Sequence, residues 1–127
     1  MDKKLGLKEL KNIICESKKS IICYFTGSLN EDGISWCPDC NESAPIIKYM
    51  LENYTNKFEY YSYYIERPIW KDMANEYRVD TFFKVSSVPT LIYYSEGVEM
   101  IRFMESEISK AAIDDLFIWS WILSLFN

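Results

Sequence analysis

One short stretch of the chain, residues 35–40, constrains the fold more than any other. It reads SWCPDC and lies just after an apolar run, SIICYFTGS, and a polar loop, SLNEDGIS. The apolar run is rich in β-branched and aromatic residues, which predicts a buried central strand. Proline favours the first turn of a helix, where its missing N–H costs nothing. The two cysteines are therefore expected where a buried strand leads into a helix, at the edge where open α/β sheets carry out their chemistry.

Hydrophobic spacing along the rest of the chain predicts helices and strands in a regular order. The predicted helices cover residues 7–17, 38–54, 70–79 and 105–125, and the predicted strands cover residues 20–28, 58–65, 90–95 and 98–104. Glu96 and Gly97 form a turn typical of a hairpin between the last two strands. A βαβ unit followed by a hairpin and a helix gives an α/β fold, a central mixed β-sheet with helices on both faces. That is the arrangement of the thioredoxin fold, and we expect one such domain over residues 1–127.

Length, charge and hydropathy argue against several other classes. With 127 residues and a net charge of −5, the chain is one acidic domain and is not expected to bind nucleic acid, which requires clustered Lys and Arg. The N-terminus lacks the apolar core of a signal peptide, so the cysteines are expected to be reduced. The apolar segment at residues 116–126 is too short to span a membrane and predicts a packed final helix; a tail that dips into a membrane is the alternative. We expect a monomer.

The cysteine pair could in principle be redox-active, part of a metal site or a structural cross-link. Zinc needs four ligands, commonly from two pairs. The chain has no histidine, and its other cysteines, Cys15 and Cys23, lie on a different predicted helix and strand and are interpreted as small buried hydrophobes. No metal or bound cofactor is therefore expected. The pair Cys37 and Cys40 is predicted to cycle between a dithiol and a disulfide.

Each residue of the CPDC motif has an expected role. Unpaired N–H groups and the dipole at the helix start should lower the pKa of Cys37 and favour the thiolate that attacks a disulfide. Cys40, one turn on, is the expected resolving thiol. Pro38 and Asp39 are expected to tune the redox couple, although a carboxylate suits the first helical turn and also opposes a nearby thiolate, so the sign of its effect is open. We also hypothesise that Asp39 helps to deprotonate Cys40.

A second motif, SSVPTLIYY, places a proline immediately before a strand. Beside a reactive dithiol it indicates a cis bond between Val88 and Pro89; a trans proline that opens an edge strand is the alternative. The backbone N–H and C=O of Val88 would then lie beside the thiols, where a substrate segment docks as an added strand. Trp36, next to Cys37, is a candidate for contacting substrates and equally for ordinary packing.

The motifs YFTGS, SWCPDC, PIWKD followed by Asn75 and Arg78, and SVPTL together resemble the thioredoxin domain-containing protein 17 family. The resemblance runs from about residue 21 to residue 93 and leaves the N-terminal segment and the final helix outside it. It implies a cytosolic protein of thioredoxin fold that reduces small disulfides such as cystine. It also implies that the electrons come from NADPH through thioredoxin reductase.

The resemblance also implies roles for single residues. Cys37 would be the nucleophile and Cys40 the resolving cysteine, while Pro38 and Asp39 would set the redox potential and Pro89 would be the cis-proline. Tyr24 stands where ordinary thioredoxins keep a buried aspartate, and the longer loop at residues 28–35 could narrow the substrate groove. Two alternatives stay open: a redox-regulated adaptor that binds a partner without significant turnover, and an enzyme that takes electrons from glutathione.

Overall fold

The strands and helices follow the predicted order around a central sheet. The computed structural model describes residues 5–125. Its strands are β1 (Ser20–Gly27), β2 (Glu59–Ile65), β3 (Thr90–Ser95) and β4 (Val98–Met104). Its helices are α1 (Leu7–Glu16), α2 (Pro38–Asn53), α3 (Arg67–Lys71), α4 (Glu76–Val79) and α5 (Lys110–Ser124), with a 3₁₀ turn at Glu105–Glu107.

The central strand β1 brings the two predicted motifs together. The strand order is β2-β1-β3-β4, in which β1 is parallel to β2 and antiparallel to β3. Gly27 at the end of β1 pairs with Ile65 of β2, and Phe25 pairs with Thr90 at the start of β3. The cysteine motif, which follows β1, and Pro89, which precedes β3, therefore lie at the same edge. The predicted mixed sheet is confirmed.

Helices pack on both faces of the sheet, as predicted. On one face, α1, α3 and α4 contribute to a core that includes the fully buried Leu10 and Phe25. On the other face, α2 and α5 form a second core around the fully buried Met50 and Ile113. Removing each such side chain from water contributes about 1.5–3 kcal/mol. Burial on two faces explains why β1 reads as an unbroken apolar run.

The segment at residues 70–79 was predicted to be one helix, and that prediction is wrong. It contains the end of α3 and the whole of α4, separated by residues 72–75. The side chains of Asp72 and Asn75 each accept a hydrogen bond from the backbone N–H two residues further on, at 2.9 and 3.0 Å. Short polar side chains of this kind compete with helical hydrogen bonds and stop or start a helix.

The final helix starts later than predicted. Instead of a helix from residue 105, the chain makes a 3₁₀ turn at Glu105–Glu107, and the N–H of Glu105 donates to the Pro89 carbonyl at 2.8 Å. The helix α5 begins after Ser109, whose hydroxyl caps it by accepting the N–H of Ala112 at 3.1 Å. Between residues 5 and 125, no helix has the length and apolar character needed to cross a membrane.

The two cysteines outside the motif differ in their surroundings. Cys23 lies in β1 and is fully buried, as predicted. Burial raises the pKa of its thiol far above the ordinary value, which keeps it unreactive. Cys15 was also predicted to be buried, but it is exposed near the end of α1. The apolar stripe of that helix runs through Leu10 and Ile14, so Cys15 falls outside it.

A pair of tyrosines ties α2 to α5. The hydroxyls of Tyr49 and Tyr54 both donate to Oδ1 of Asp114, at 2.6 and 2.5 Å. These two bonds lower the pKa of the Asp114 carboxyl, and the same carboxylate raises the pKa of each tyrosine. The contact therefore depends on a charged carboxylate and neutral phenols.

We expect Asp114→Asn to lower the melting temperature at neutral pH. The stability that comes from the lowered carboxyl pKa is present above the ordinary value of 3.8 and is lost as pH falls through the lowered one. The raised pKa of Tyr54 also contributes stability. That contribution is fully present below the ordinary tyrosine pKa of 10.0 and is lost as the pH rises through the raised pKa. The difference in melting temperature between variant and wild type should therefore shrink at both extremes, as measured by circular dichroism. Asp115→Asn, at the exposed neighbour, is the control, and a difference that does not change with pH would contradict the prediction.

Candidate active site

Cys37 is the N-cap residue of α2. Its backbone is extended, with φ −101° and ψ 113°, and its Sγ accepts the backbone N–H of Cys40 at 3.3 Å. The N–H of Cys37 donates to the hydroxyl of Ser35 at 3.1 Å. A sulfur in the N-cap position faces the N–H groups that the helix leaves unpaired. The sequence therefore places this thiol where a thiolate receives hydrogen bonds.

Cys40 lies beneath Cys37, one turn into the helix. Its Sγ accepts the backbone N–H of Gly27, at the end of β1, at 3.3 Å. Cys40 is 2% exposed and Cys37 is 7% exposed, and both are free thiols. The sulfur nearer the surface is the one that an incoming disulfide reaches first.

The loop before β3 passes directly over the Cys37 sulfur. The Cys37 thiol donates to the Val88 carbonyl oxygen, with an Sγ–O distance of 3.6 Å. The peptide bond between Val88 and Pro89 is cis, the isomer that the sequence predicts. Val88 itself is 7% exposed. A backbone segment thus lies beside the thiol, as the sequence predicts for a docking strand.

A side-chain amide closes the loop that leads into the motif. Asn41 accepts the backbone N–H of Ser35 at 2.8 Å and donates to the Ser35 carbonyl at 2.9 Å. The Ser35 hydroxyl in turn donates to the Gly27 carbonyl at 3.0 Å. Ser35 is therefore fixed from three sides, and through its hydroxyl it holds the backbone of Cys37.

Trp36 is anchored at the same edge of the sheet. Its Nε1 donates to the carbonyl of Ile65, at the end of β2, at 2.9 Å, and its side chain is half-buried against the core. The ring lies so close to Gly27 that a Cβ atom on this glycine would fall 2.9 Å from Cε2 of the ring. Trp36 thus packs beside Cys37 and also presents part of its surface to solvent.

The electrostatics of Cys37 differ from the sequence prediction. Burial, the hydrogen bond that the Cys37 thiol donates to the Cys40 side chain, and the negative charges of Cys40 and Asp39 raise the pKa of Cys37 to about 12, while the backbone N–H of Cys40 opposes them. The predicted lowering by the helix start is present but is outweighed, because desolvation disfavours the thiolate. In the resting dithiol, Cys37 is therefore held protonated, and its rate of attack should rise with pH.

Comparison with known proteins places this site in a family. The family model described as "Thioredoxin domain-containing protein 17-like, thioredoxin domain" matches residues 3–118. This chain belongs to that family. The match extends well beyond residues 21–93 in both directions, so the N-terminal segment and the first half of α5 belong to the family domain as well, contrary to the narrower resemblance seen in the sequence.

Individual relatives agree with the family model. Thioredoxin domain-containing protein 17 of Mus musculus is 33% identical over 114 residues, which are 88% of this chain and 89% of that protein. The Homo sapiens protein of that name is 35% identical over 99 residues, 77% of this chain and 76% of that protein. Thioredoxin O2 from Arabidopsis thaliana, solved in the oxidised state, has a TM-score of 0.61 at 19% identity and covers 88% of this chain and 84% of its own. The fold is thioredoxin-like, and the family indicates thiol–disulfide oxidoreductase chemistry.

Tyr24, which the sequence resemblance aligns with the buried aspartate of ordinary thioredoxins, is not a base. The hydroxyl of Tyr24 hydrogen-bonds that of Ser43, which donates to the Cys40 carbonyl at 3.1 Å. Burial raises the pKa of Tyr24 above its ordinary value, so the phenol stays neutral at physiological pH. In this family member, Tyr24 supports the backbone of Cys40 through Ser43, and no carboxylate occupies that position in the strand.

Asp39 lies on the solvent side of the motif. It is exposed in the first turn of α2 and lines a groove of about 420 Å³ together with residues 104–107. Its negative charge contributes to the raised pKa of Cys37. The sequence left open whether Asp39 favours or opposes the Cys37 thiolate. The structure indicates that it opposes the thiolate.

We expect Asp39→Asn to speed the alkylation of Cys37 by iodoacetamide at pH 7 about twofold, because removal of the charge lowers the pKa of the thiol and raises the thiolate fraction. Mass spectrometry of the peptide that carries Cys37 separates its reaction from that of exposed Cys15. Glu42→Gln removes an exposed carboxylate one turn further along α2 and should leave the rate unchanged. Slower alkylation would contradict this sign.

Several residues that build the site had no predicted role, although Gly27, Ser35 and Arg78 lie in the sequence motifs. Gly27, Ser35 and Asn41 hold the motif, and Arg78 contacts the loop before Pro89. Asn41 directly follows the second cysteine, and a Ser or Asn next to a helix start is a general signal for a side chain that bonds to backbone. Within residues 5–125, no group of three or more His, Cys, Asp or Glu side chains is arranged to hold a metal ion.

Proposed function

We propose that this protein is a thiol–disulfide oxidoreductase that reduces small disulfides such as cystine through Cys37 and Cys40. Its electrons would come from NADPH by way of thioredoxin reductase, in the cytoplasm. The observation that carries the proposal is the proximity of two cysteine sulfurs and a backbone carbonyl at one edge of the sheet. The Cys37 sulfur is at the helix start, the Cys40 sulfur lies beneath it, and the Val88 carbonyl is 3.6 Å from the Cys37 sulfur.

The first step is attack on the substrate. Cys37 loses its proton to solvent, and the thiolate attacks one sulfur of the substrate disulfide. A bond forms between Cys37 and that sulfur, the substrate S–S bond breaks, and the leaving thiolate takes up a proton. The backbone N–H of Cys40 stabilises the developing negative charge on Cys37. Docking of the substrate backbone against Val88 would align the three sulfur atoms.

The second step releases the product. Cys40 loses its proton to solvent, and its thiolate, which the N–H of Gly27 stabilises, attacks the Cys37 sulfur of the mixed disulfide and breaks the bond between Cys37 and the substrate. The second substrate thiol leaves with a proton, and the two cysteines are left as a disulfide. Two electrons have then passed to the substrate. A reductase returns two electrons to the Cys37–Cys40 disulfide and restores the dithiol.

The loop at residues 28–35 supports a preference for small disulfides. Its shape is fixed by Asn30, whose Oδ1 accepts the N–H of Asp32 at 2.9 Å and that of Ile34 at 3.0 Å. The loop projects the exposed apolar side chains of Leu29 and Ile34 just before the motif. A projection next to the motif would obstruct a large folded disulfide more than a short one.

The test is NADPH oxidation with purified thioredoxin reductase, using cystine and insulin as alternative substrates. We expect turnover of cystine to exceed that of insulin by a wide margin. Equal turnover of both would overturn the selectivity for small disulfides and leave the reductase activity. Turnover that requires glutathione and glutathione reductase instead would overturn the proposed electron donor. No turnover with either donor would favour the redox-regulated adaptor.

A further inference from the structure

The loop that faces the Cys37 sulfur is held from outside the active site. Residues 85–89 carry the Val88 carbonyl, yet they form no part of a helix or strand. The N–H of Val85 donates to the Tyr77 carbonyl of α4 at 2.9 Å, and the hydroxyl of Thr90 donates to the Ser87 carbonyl at 2.7 Å. The position of this loop therefore depends on the neighbouring segment that contains α4.

Arg78 of α4 reaches the middle of this loop. Its Nη1 donates to the Ser86 carbonyl at 3.3 Å, two residues before Val88. Its Nε and Nη2 both donate to the carbonyl of Trp70, each at 3.4 Å, and its guanidinium lies 3.8 Å from the centre of the Trp70 ring. The planar guanidinium of Arg78 thus joins residues 85–89, here called the docking loop, to the end of α3.

The guanidinium is itself held in place. Trp70 is 9% exposed and belongs to the core, so the surface on which Arg78 stacks is fixed. The buried Asn75 accepts the backbone N–H of Arg78 at 3.1 Å and donates to the Trp70 carbonyl at 3.3 Å. Stacking on an aromatic ring and several hydrogen bonds in one plane are the contacts that arginine makes and lysine cannot reproduce.

We infer that Arg78 is a positioning residue for disulfide exchange, which holds residues 86–88 so that the Val88 backbone stays against Cys37 when a disulfide docks. The inference rests on the proposed function. Arg78 reaches the Cys37 sulfur through the loop and not directly. Its loss should therefore impair reactions that use the docking loop and spare reactions of the Cys37 thiol that do not.

The experiment compares Arg78→Leu and Arg78→Lys with wild type, using protein that has been reduced beforehand and freed of reductant. Single-turnover reduction of a short peptide disulfide measures docking, because the peptide backbone can pair with the loop. Alkylation of Cys37 by iodoacetamide measures the thiol alone. Lys71→Met, which removes a positive charge at an exposed site near α4, is the charge control. The rate of amide hydrogen exchange in residues 85–88, compared with the rate in β1, shows whether the loop has become more mobile.

In Arg78→Leu, we expect peptide reduction to slow about tenfold, alkylation to change less than twofold, and exchange of the loop amides to accelerate while β1 is unaffected. Arg78→Lys should show the same changes to a smaller extent. If Arg78→Leu does not fold, the comparison is made with Arg78→Lys instead. If the variants lose peptide reduction and Cys37 alkylation equally, or lose neither, the inference about Arg78 is wrong. The proposed function would still stand in that case, because the wild-type protein reduces the disulfide. A wild-type protein that reduces no disulfide would overturn both.

Discussion

Replacing Cys37 with serine is expected to abolish disulfide reduction, with a loss of at least about a hundredfold, because a hydroxyl at this position provides no thiolate to attack sulfur. The substitution is close to isosteric and keeps the hydrogen bonds at the helix start, so the fold should persist. NADPH oxidation coupled to thioredoxin reductase, with cystine as substrate, measures the loss. Circular dichroism and thermal unfolding check that the variant remains folded.

Two further cysteine variants make this result specific. Cys15→Ser changes the exposed cysteine near the end of α1 and should leave turnover unchanged. Cys40→Ser should also stop turnover, but it leaves the first attack intact and so accumulates a mixed disulfide on Cys37, which mass spectrometry detects. If Cys37→Ser keeps full activity, or if the trapped disulfide forms on another cysteine, the assignment of Cys37 as the nucleophile is wrong.

The parts of the site that could be predicted are those that the local sequence determines. The apolar run of β1 predicts a central strand because both of its faces are buried, and Pro38 predicts the helix start because the missing N–H of proline costs nothing in the first helical turn. Together they place Cys37 at the strand-to-helix junction. Pro89 before β3 adds the second half of the site, because the antiparallel pairing of β3 with β1 brings both to one edge.

The parts that could not be predicted depend on contacts between distant residues. The raised pKa of Cys37 comes mainly from burial, which is a property of the packed molecule and not of the helix start. The contact between Arg78 and Ser86 depends on where the break between α3 and α4 places the guanidinium. The late start of α5 follows from a hydrogen bond between Glu105 and Pro89 that no periodic pattern records.

The second large effect is expected at Gly27, where β1 ends beneath the motif. A Cβ atom on this residue would lie 2.6 Å from Oγ of Ser35 and 2.9 Å from Cε2 of Trp36, distances that force both neighbours to move. Gly27→Ala should therefore lower the free energy of unfolding by about 1–3 kcal/mol, the usual range for overpacking. Because the displaced Ser35 holds the Cys37 backbone, turnover of cystine should also fall by about tenfold or more.

Matched variants separate this clash from the general effect of adding a methyl group. Gly6→Ala is the control, because its added Cβ would meet only ordinary contact, 3.5 Å from Oε1 of Glu9, and it should change stability far less. If the clash with the Ser35 hydroxyl is the cause, Ser35→Ala in the same chain should recover part of the stability that Gly27→Ala loses, since the two effects are coupled. If the double variant instead loses the sum of the stability losses of the two single variants, the clash with Ser35 is not the cause. Recovery of stability without recovery of turnover would show that the Ser35 hydroxyl, which links Gly27 to the Cys37 backbone, is itself needed to hold the nucleophile in place.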